Sequence, residues 1–201
     1  LNPEIIEEYT LYGPIVTCQD SGHRRFSSIY IEHYAAFRHG LEFLEEKGYH
    51  NIGYCEGRQN GNSSSIRQSA YHDFMKERGS TPPKEWMLFD CLTEEDGAAV
   101  VHKLLDMSNR PDALIITGDH VAAGLIIEAG KCNLRIPEDL AVIGFDNQPI
   151  GRLLGLTTID NQLFEMGASA FKIMLGLIRG ENREAPVHQK LSYQIIERST
   201  V

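Results

Sequence analysis

The residues of this chain with the most chemical capacity follow short apolar runs. Asp146-Asn147 comes directly after Leu140-Ala-Val-Ile-Gly-Phe145. A carboxylate placed there can accept two hydrogen bonds from vicinal hydroxyls, and the neighbouring amide both donates and accepts. The same pair would also serve as an Asx-turn that ends the run. After Asn51-Ile-Gly-Tyr-Cys55 comes a polar loop, Glu56 to Ser65, containing Gly61 and Ser63, with Arg67 shortly beyond it. A helix N-terminus, hydroxyls and a guanidinium together suit a polar or anionic ligand group. The alternative is a capped surface loop with a solvated Arg67. The loop has no Lys and lacks the Gly-Lys-Ser/Thr ending of a P-loop. After Ala113-Leu-Ile-Ile-Thr117 comes Gly118-Asp119-His120, where Asp119 is read as a helix N-cap in preference to a ligand contact.

Other chemistries find little support. His33, His50, His72, His102 and His120 lie near helices or turns, and no Gly-x-Ser-x-Gly elbow accompanies them. Gly-x-Gly-x-x-Gly is absent, so no dinucleotide cofactor is assigned. The acidic stretches Glu7-Glu8 and Glu94-Glu95-Asp96 read as first turns or solvated faces, and nothing singles out a glycosidase-like pair. Cys18, Cys55, Cys91 and Cys132 are far apart in sequence. They are read as free, buried thiols in a reducing cytoplasm, with no metal site, because no histidine pairs with a cysteine at ligand spacing. No enzyme activity and no cofactor are expected.

The elements that must position these residues alternate. Short apolar runs without polar alternation read as strands covered on both faces: Pro14–Cys18, Ser28–Ile31, Asn51–Cys55, Trp86–Phe89, Ala113–Thr117 and Leu140–Phe145. Helical patterns fill the gaps over Pro3–Tyr9, His33–Lys47, Ser64–Arg78, Glu94–Met107 and His120–Ala129, with Gly48, Gly79 and Gly130 as stops. Leu156–Asp160 reads as extended, Leu163–Arg179 as a helix and Lys190–Ile196 as a strand. The result is an α/β fold in which Asn51–Phe145 makes one complete doubly wound unit on a parallel sheet, a rhythm that breaks after Asn147. In such a sheet ligands bind beyond the carboxyl ends of the strands, which is where the polar residues above fall.

The chain has 201 residues, is 42% hydrophobic and 23% charged, and carries a net charge of −9. That is ordinary globular composition, with no basic field for nucleic acid. No apolar run is long enough to span a membrane, and no membrane partner is expected. The first residue is Leu1, and no signal peptide is visible, so the chain reads as a fragment or a processed product.

Several stretches resemble LacI-type bacterial transcriptional regulators. They are Ile136-Pro-Glu-Asp-Leu-Ala-Val-Ile-Gly-Phe-Asp-Asn147, Leu156-Thr-Thr-Ile-Asp160, Met166-Gly and the ending Ile196-Glu-Arg-Ser-Thr200. Arg110 to Gly124 fits too, as does Ser63-x-x-x-Arg67 followed by Ala70-Tyr71. The resemblance covers essentially the whole chain. It implies a periplasmic-binding-protein-like (type I) fold with two doubly wound subdomains and a small effector in the crevice. Residues 1–31 and 161–189 would be the remnant of an incomplete N-terminal subdomain that leaves apolar surface uncovered. Residues 32–160 and 190–201 would form the C-terminal subdomain. The family's helix-turn-helix is not in this chain.

Carried over position by position, the resemblance implies effector contacts from Asp146, Arg67, Ser63 and Asn161. Leu92 stands where an aromatic often stacks, and Gly118 where some sugar-binding members have Asn. Gly61 replaces an Arg of purine-responsive members, which argues against a purine corepressor. The implied partners are a sugar or sugar phosphate, operator DNA through the domain not in this chain, and a second copy in a homodimer. The implied setting is the cytoplasm. An extracytoplasmic sugar-binding protein of a transporter is the alternative.

Overall fold

The computed structural model describes residues 3–22, 25–181 and 185–201. Leu1, on which the reading of a processed start rests, lies outside them. In chain order the elements begin with α1 (Pro3–Glu8), β1 (Val16–Thr17), β2 (Ser27–Tyr30), α2 (His33–Glu46) and β3 (Ile52–Cys55). Next come α3 (Asn62–Glu77), β4 (Met87–Leu88), α4 (Glu94–Asp106), β5 (Ala113–Ile116) and α5 (Asp119–Lys131). The chain ends with β6 (Ala141–Phe145), α6 (Pro149–Leu153), β7 (Thr157–Asp160), α7 (Leu163–Ile178), β8 (His188–Lys190) and β9 (Gln194–Ile196).

The chain forms two compact units, Leu1–Glu32 with Asn161–Tyr193, and His33–Asp160 with Gln194–Val201. The first holds a three-stranded parallel sheet in the order β1-β2-β8. Glu32 belongs to this unit, and its carboxylate accepts from Lys190 Nζ at 2.6 Å. On the apolar helix α7, Phe164 and Phe171 are exposed, whereas Met166, Ser169 and Gly176 are buried.

The second unit carries a six-stranded sheet in the order β4-β3-β5-β6-β7-β9. All pairings are parallel except the antiparallel edge strand β9 on β7. Side chains alternate across this sheet, as the strand period of two requires. Leu114, Ile116 and Val142 pack with Val100, Val101 and Leu104 of α4 and Val121 and Leu125 of α5. On another part of the unit, Tyr54 of β3 makes ring contacts with Phe37 of α2 and Tyr71 of α3. From β3 the chain goes outward to β4 and then returns to the other side of β3 as β5. Strand order therefore reverses between β3 and β5, which makes their carboxyl ends the switch point.

Four local expectations need correction. The single strand expected over Lys190–Ile196 is two short strands in different sheets. Leu191 N still donates to Tyr30 O at 2.7 Å, then the chain crosses to pair Gln194–Ile196 with β7. The division therefore falls after Tyr193, not before Lys190. Helix α5 runs past Gly130 to Lys131, and Asn133 supplies the left-handed residue (φ 57°) that follows its end. Helix α6, opened by Pro149 at its first turn, was not anticipated from the sequence. Cys18 is exposed and Cys132 half-buried; only Cys55 and Cys91 are buried, and all four are free thiols.

The acidic first turn of α4 is as expected. Thr93 Oγ1 accepts from Asp96 N at 3.2 Å and Asp96 Oδ2 accepts from Thr93 N at 2.9 Å, a reciprocal cap. Among the described residues no helix is long and apolar enough to cross a membrane.

Candidate functional site

The carboxyl ends of β3 and β5 are joined by Glu56, the residue that follows β3. Its Oε1 accepts from Thr117 Oγ1 at 2.8 Å and from Gly57 N at 3.1 Å. Arg67, projecting from the second turn of α3, grips the same carboxylate in a fork. Nε donates to Oε2 at 2.8 Å and Nη2 to Oε1 at 2.9 Å. The side chains of Arg67 and Glu56 are 12% and 4% exposed. So the pair is largely withdrawn from water, and each charge depends on the other. Arg67 is therefore not a solvated surface residue. Its remaining nitrogen, Nη1, lies 3.5 Å from His33 Nδ1, and its guanidinium stands 5.6 Å from the centre of the Phe145 ring.

His33 opens α2 and stacks on Phe145, with ring centres 6.1 Å apart. Burial first and the Arg67 charge second push its pKa down to about 4, against a smaller opposing pull from Glu56. Its imidazole is neutral near pH 7, so Nδ1 can accept from the Arg67 guanidinium. Neither Glu56 nor His33 was singled out as a site residue from the sequence. The only sequence signal for Glu56 was its place as the first polar residue after a buried strand.

The loop after β6 is built around a second carboxylate. Asp119 is fully buried. Its Oδ2 accepts from Gln148 N at 2.6 Å and its Oδ1 from Thr158 Oγ1 at 2.8 Å. Gly118 takes the cap position of α5 without a side-chain bond, so the reading of Asp119 as N-cap is replaced by a clamp on the 146–148 loop. Burial raises its pKa, and the hydrogen bonds from Thr158 and the Gln148 backbone oppose that rise. The clamp explains two glycines. A Cβ at Gly144 would stand 2.3 Å from Asp119 Oδ1 and one at Gly151 2.9 Å from Oδ2.

Held this way, Asp146 and Asn147 adopt positive φ values of 119° and 51°. A φ of 119° at a residue with a Cβ is strained, and such strain persists only where surrounding contacts enforce it. Asp146 N donates to Ile159 O at 2.8 Å, and Gln148 Nε2 reaches its Oδ2 at 3.4 Å. Asn147 is fixed at both ends of its amide. Nδ2 donates to Asp160 Oδ2 at 3.2 Å and Oδ1 accepts from Arg198 Nη2 at 2.7 Å.

The chain's last residues thus serve the loop. Arg198 reaches Asn147, and Thr200 Oγ1 links β6 to β7, donating to Val142 O at 2.7 Å and accepting from Thr157 N at 2.8 Å. The Glu-Arg-Ser-Thr ending has a mechanical role that its sequence pattern alone did not reveal.

The remaining candidates are distributed as follows. Ser63 is half-buried on the first turn of α3. Leu92 is 57% exposed, and its Cδ2 would lie 3.0 Å from a Cβ at Gly57, so it leans over the end of β3. Gly118 has extended backbone, and a Cβ there would meet nothing nearer than Val121 Cγ2 at 3.9 Å. Asn161 is buried in the other unit, directly after β7. Arg67, Asp146, Ser63, Leu92 and Gly118 all belong to the second unit, at or just beyond strand ends or at helix starts.

Residues 41–201 match the family of periplasmic binding protein-like domains. An uncharacterised HTH-type transcriptional regulator, YkvZ of Bacillus subtilis (strain 168), is 40% identical over 190 residues, 94% of this chain and 58% of that protein. The HTH-type transcriptional repressor PurR of Pectobacterium atrosepticum is 31% identical over 202 residues, 98% of this chain and 58% of that protein. The chain thus spans a little over half the length of the curated relatives it matches. A LacI family transcriptional regulator from Lactobacillus casei, solved with bound glucose, superposes with a TM-score of 0.87 at 23% identity, covering 100% of this chain and 75% of that one.

Proposed function

The chain belongs to the periplasmic binding protein-like domain family, in the form carried by LacI-type regulators, and from that premise we propose that it senses a small effector for a transcriptional repressor. The observation that carries this reading is the polar cluster at the β3/β5 switch point and the neighbouring β6 loop. There a buried Arg67–Glu56 fork and a strained, clamped Asp146 stand where the fold places ligands.

Charge narrows the effector. The fork satisfies two of the three guanidinium nitrogens of Arg67 with a carboxylate, which neutralises the cation an anionic ligand would need. Asp146 adds a further negative charge. We therefore read the effector as a neutral polyhydroxyl compound, a sugar in preference to a sugar phosphate. Its hydroxyls would donate to Asp146 and accept from Arg67 Nη1, with Ser63 as an additional polar contact and Leu92 against an apolar face. Glucose in the Lactobacillus casei protein is in keeping with that chemistry.

The proposed mechanism is population shift. An effector that binds one conformation of the module more tightly raises its population by that difference in affinity and no more. In the whole regulator a homodimer would pass the change to operator DNA in the cytoplasm, where two-fold symmetry suits a palindromic site. This reading assigns the chain binding rather than catalysis. Calorimetric titration of the chain with neutral sugars and with their phosphates tests the reading. Binding confined to neutral sugars, and lost in Asp146→Ala, supports it; preferential binding of the phosphates opposes it.

A further inference from the structure

On α4 and α5, outside the polar cluster described above, the fold brings together three side chains that are well separated in sequence. His102 Nε2 lies 3.2 Å from Glu128 Oε1. With Cys132 Sγ these ligand atoms all fall within 4.8 Å of one another, the only such group of His, Cys, Asp and Glu among the described residues. Glu128 and Cys132 are one turn apart on α5 and its cap, and His102 faces them from α4. No spacing rule would find this set, because the histidine and the cysteine come from different helices. We propose that His102, Glu128 and Cys132 form a binding site for a divalent transition metal of the zinc class.

Three features support the assignment. First, imidazole nitrogen, thiolate sulfur and carboxylate oxygen together are the donor set that zinc takes, and three protein ligands with a solvent molecule in the fourth position make an open tetrahedral site. Cys132 is free and half-buried, and the His102 ring is exposed, so solvent can reach the fourth position.

Second, the two helices are locked at close approach, which fixes the backbone positions from which the ligands project. A Cβ at Gly97 would stand 1.9 Å from Val121 O, and one at Gly124 1.9 Å from Glu94 O. Both glycines lie about one turn before the ligands.

Third, the carboxylate is divided between two tasks. Glu128 Oε1 faces His102, whereas Oε2 accepts from Lys131 Nζ at 2.7 Å. A metal on Oε1 leaves the Lys131 bond intact as an outer contact that orients the ligand. Binding releases the Cys132 thiol proton to solvent as the thiolate forms on the metal.

The test is titration of the chain with Co2+, followed by optical absorption. The proposal predicts one tetrahedral Co2+ per chain with a thiolate-to-cobalt charge-transfer band, displaced by equimolar Zn2+. Cys132→Ser should abolish the charge-transfer band. His102→Ala and Glu128→Gln should each weaken binding at least tenfold, with melting temperatures in the absence of metal close to that of the parent chain. A band that survives Cys132→Ser, no stoichiometric uptake, or equal affinity in all three variants would overturn it.

Discussion

Glu56 and Thr117 follow neighbouring strands that run to opposite sides of a reversal in strand order, and they meet in a 2.8 Å hydrogen bond. The bond ties together the two strand ends between which a doubly wound sheet opens. It also occupies one lone pair of a carboxylate already gripped by Arg67. The guanidinium is thereby held at the site instead of sampling solvent rotamers. A ligand that bonds to Arg67 does not have to order it first.

Removing the carboxylate should be costly to the fold. Glu56→Ala leaves a guanidinium only 12% exposed without its partner. Loss of one member of a buried pair costs about 3–5 kcal/mol. Denaturant unfolding of Glu56→Ala, Arg67→Ala and the double variant measures this. The double variant should be less destabilised than the sum of the two single ones.

Asp146 and Asp119 should separate function from stability. Asp146→Ala is expected to remove effector response while the unfolding midpoint changes little. Asp119→Ala leaves the Gln148 amide and the Thr158 hydroxyl without their acceptor, at about 1–3 kcal/mol for each orphaned group. Thermal unfolding of the two variants side by side distinguishes them. A large loss of stability in Asp146→Ala would place that residue in the scaffold instead.

His33 should make the fold acid-sensitive well above the carboxylate range. Its pKa is about 4 in the folded chain and 6.5 when unperturbed. Between those values the unfolded chain binds the proton and the folded one does not, so stability is complete above pH ~6.5 and declines as pH falls towards about 4. A shift of this size corresponds to roughly 3 kcal/mol at its full extent. The slope of unfolding free energy between those pH values, measured by denaturant titration, should flatten in His33→Gln.

Gly118 offers a gain-of-affinity test. Its backbone is extended, and space is open around a prospective Cβ. Asn is also among the preferred residues at a helix N-cap. Gly118→Asn should keep or slightly raise the melting temperature and tighten binding of a neutral sugar by supplying one more polar contact. Gly124→Ala should do the opposite to stability. Its methyl would meet the Glu94 carbonyl at 1.9 Å, and overpacking of this kind costs about 1–3 kcal/mol or more.

The parts of this molecule that were legible in its sequence are those where local pattern and tertiary context agree. The apolar runs of β3, β5 and β6 are buried along their whole length, so short continuous apolar runs sufficed to mark them as strands. The region from Lys190 to Ile196 misled because its polarity suits a strand at a sheet edge, and nothing local marks where the chain leaves one sheet for another. Arg67 and Asp146 were marked by their places after apolar runs, and the resemblance chose the ligand-contact reading over the alternatives of a solvated Arg67 and an Asx-turn. Glu56, which holds Arg67, was not singled out, because a glutamate after a strand is ordinary until its partner eleven residues later is seen to fold back on it. Asp119 was misassigned for a related reason. A carboxylate at a helix start suits a cap, and only the approach of Gly144, Gly151 and Thr158 shows where its oxygens point.

The central claim is that the β3/β5 switch point and the β6 loop bind a neutral sugar through Arg67 and Asp146. The most direct test is calorimetric titration of a sugar selected by thermal-shift screening into the parent chain and into Asp146→Ala. The account predicts saturable one-to-one binding of the unphosphorylated sugar to the parent chain and no measurable heat with the folded variant. Unchanged affinity in Asp146→Ala, or binding of phosphorylated sugars alone, would contradict it.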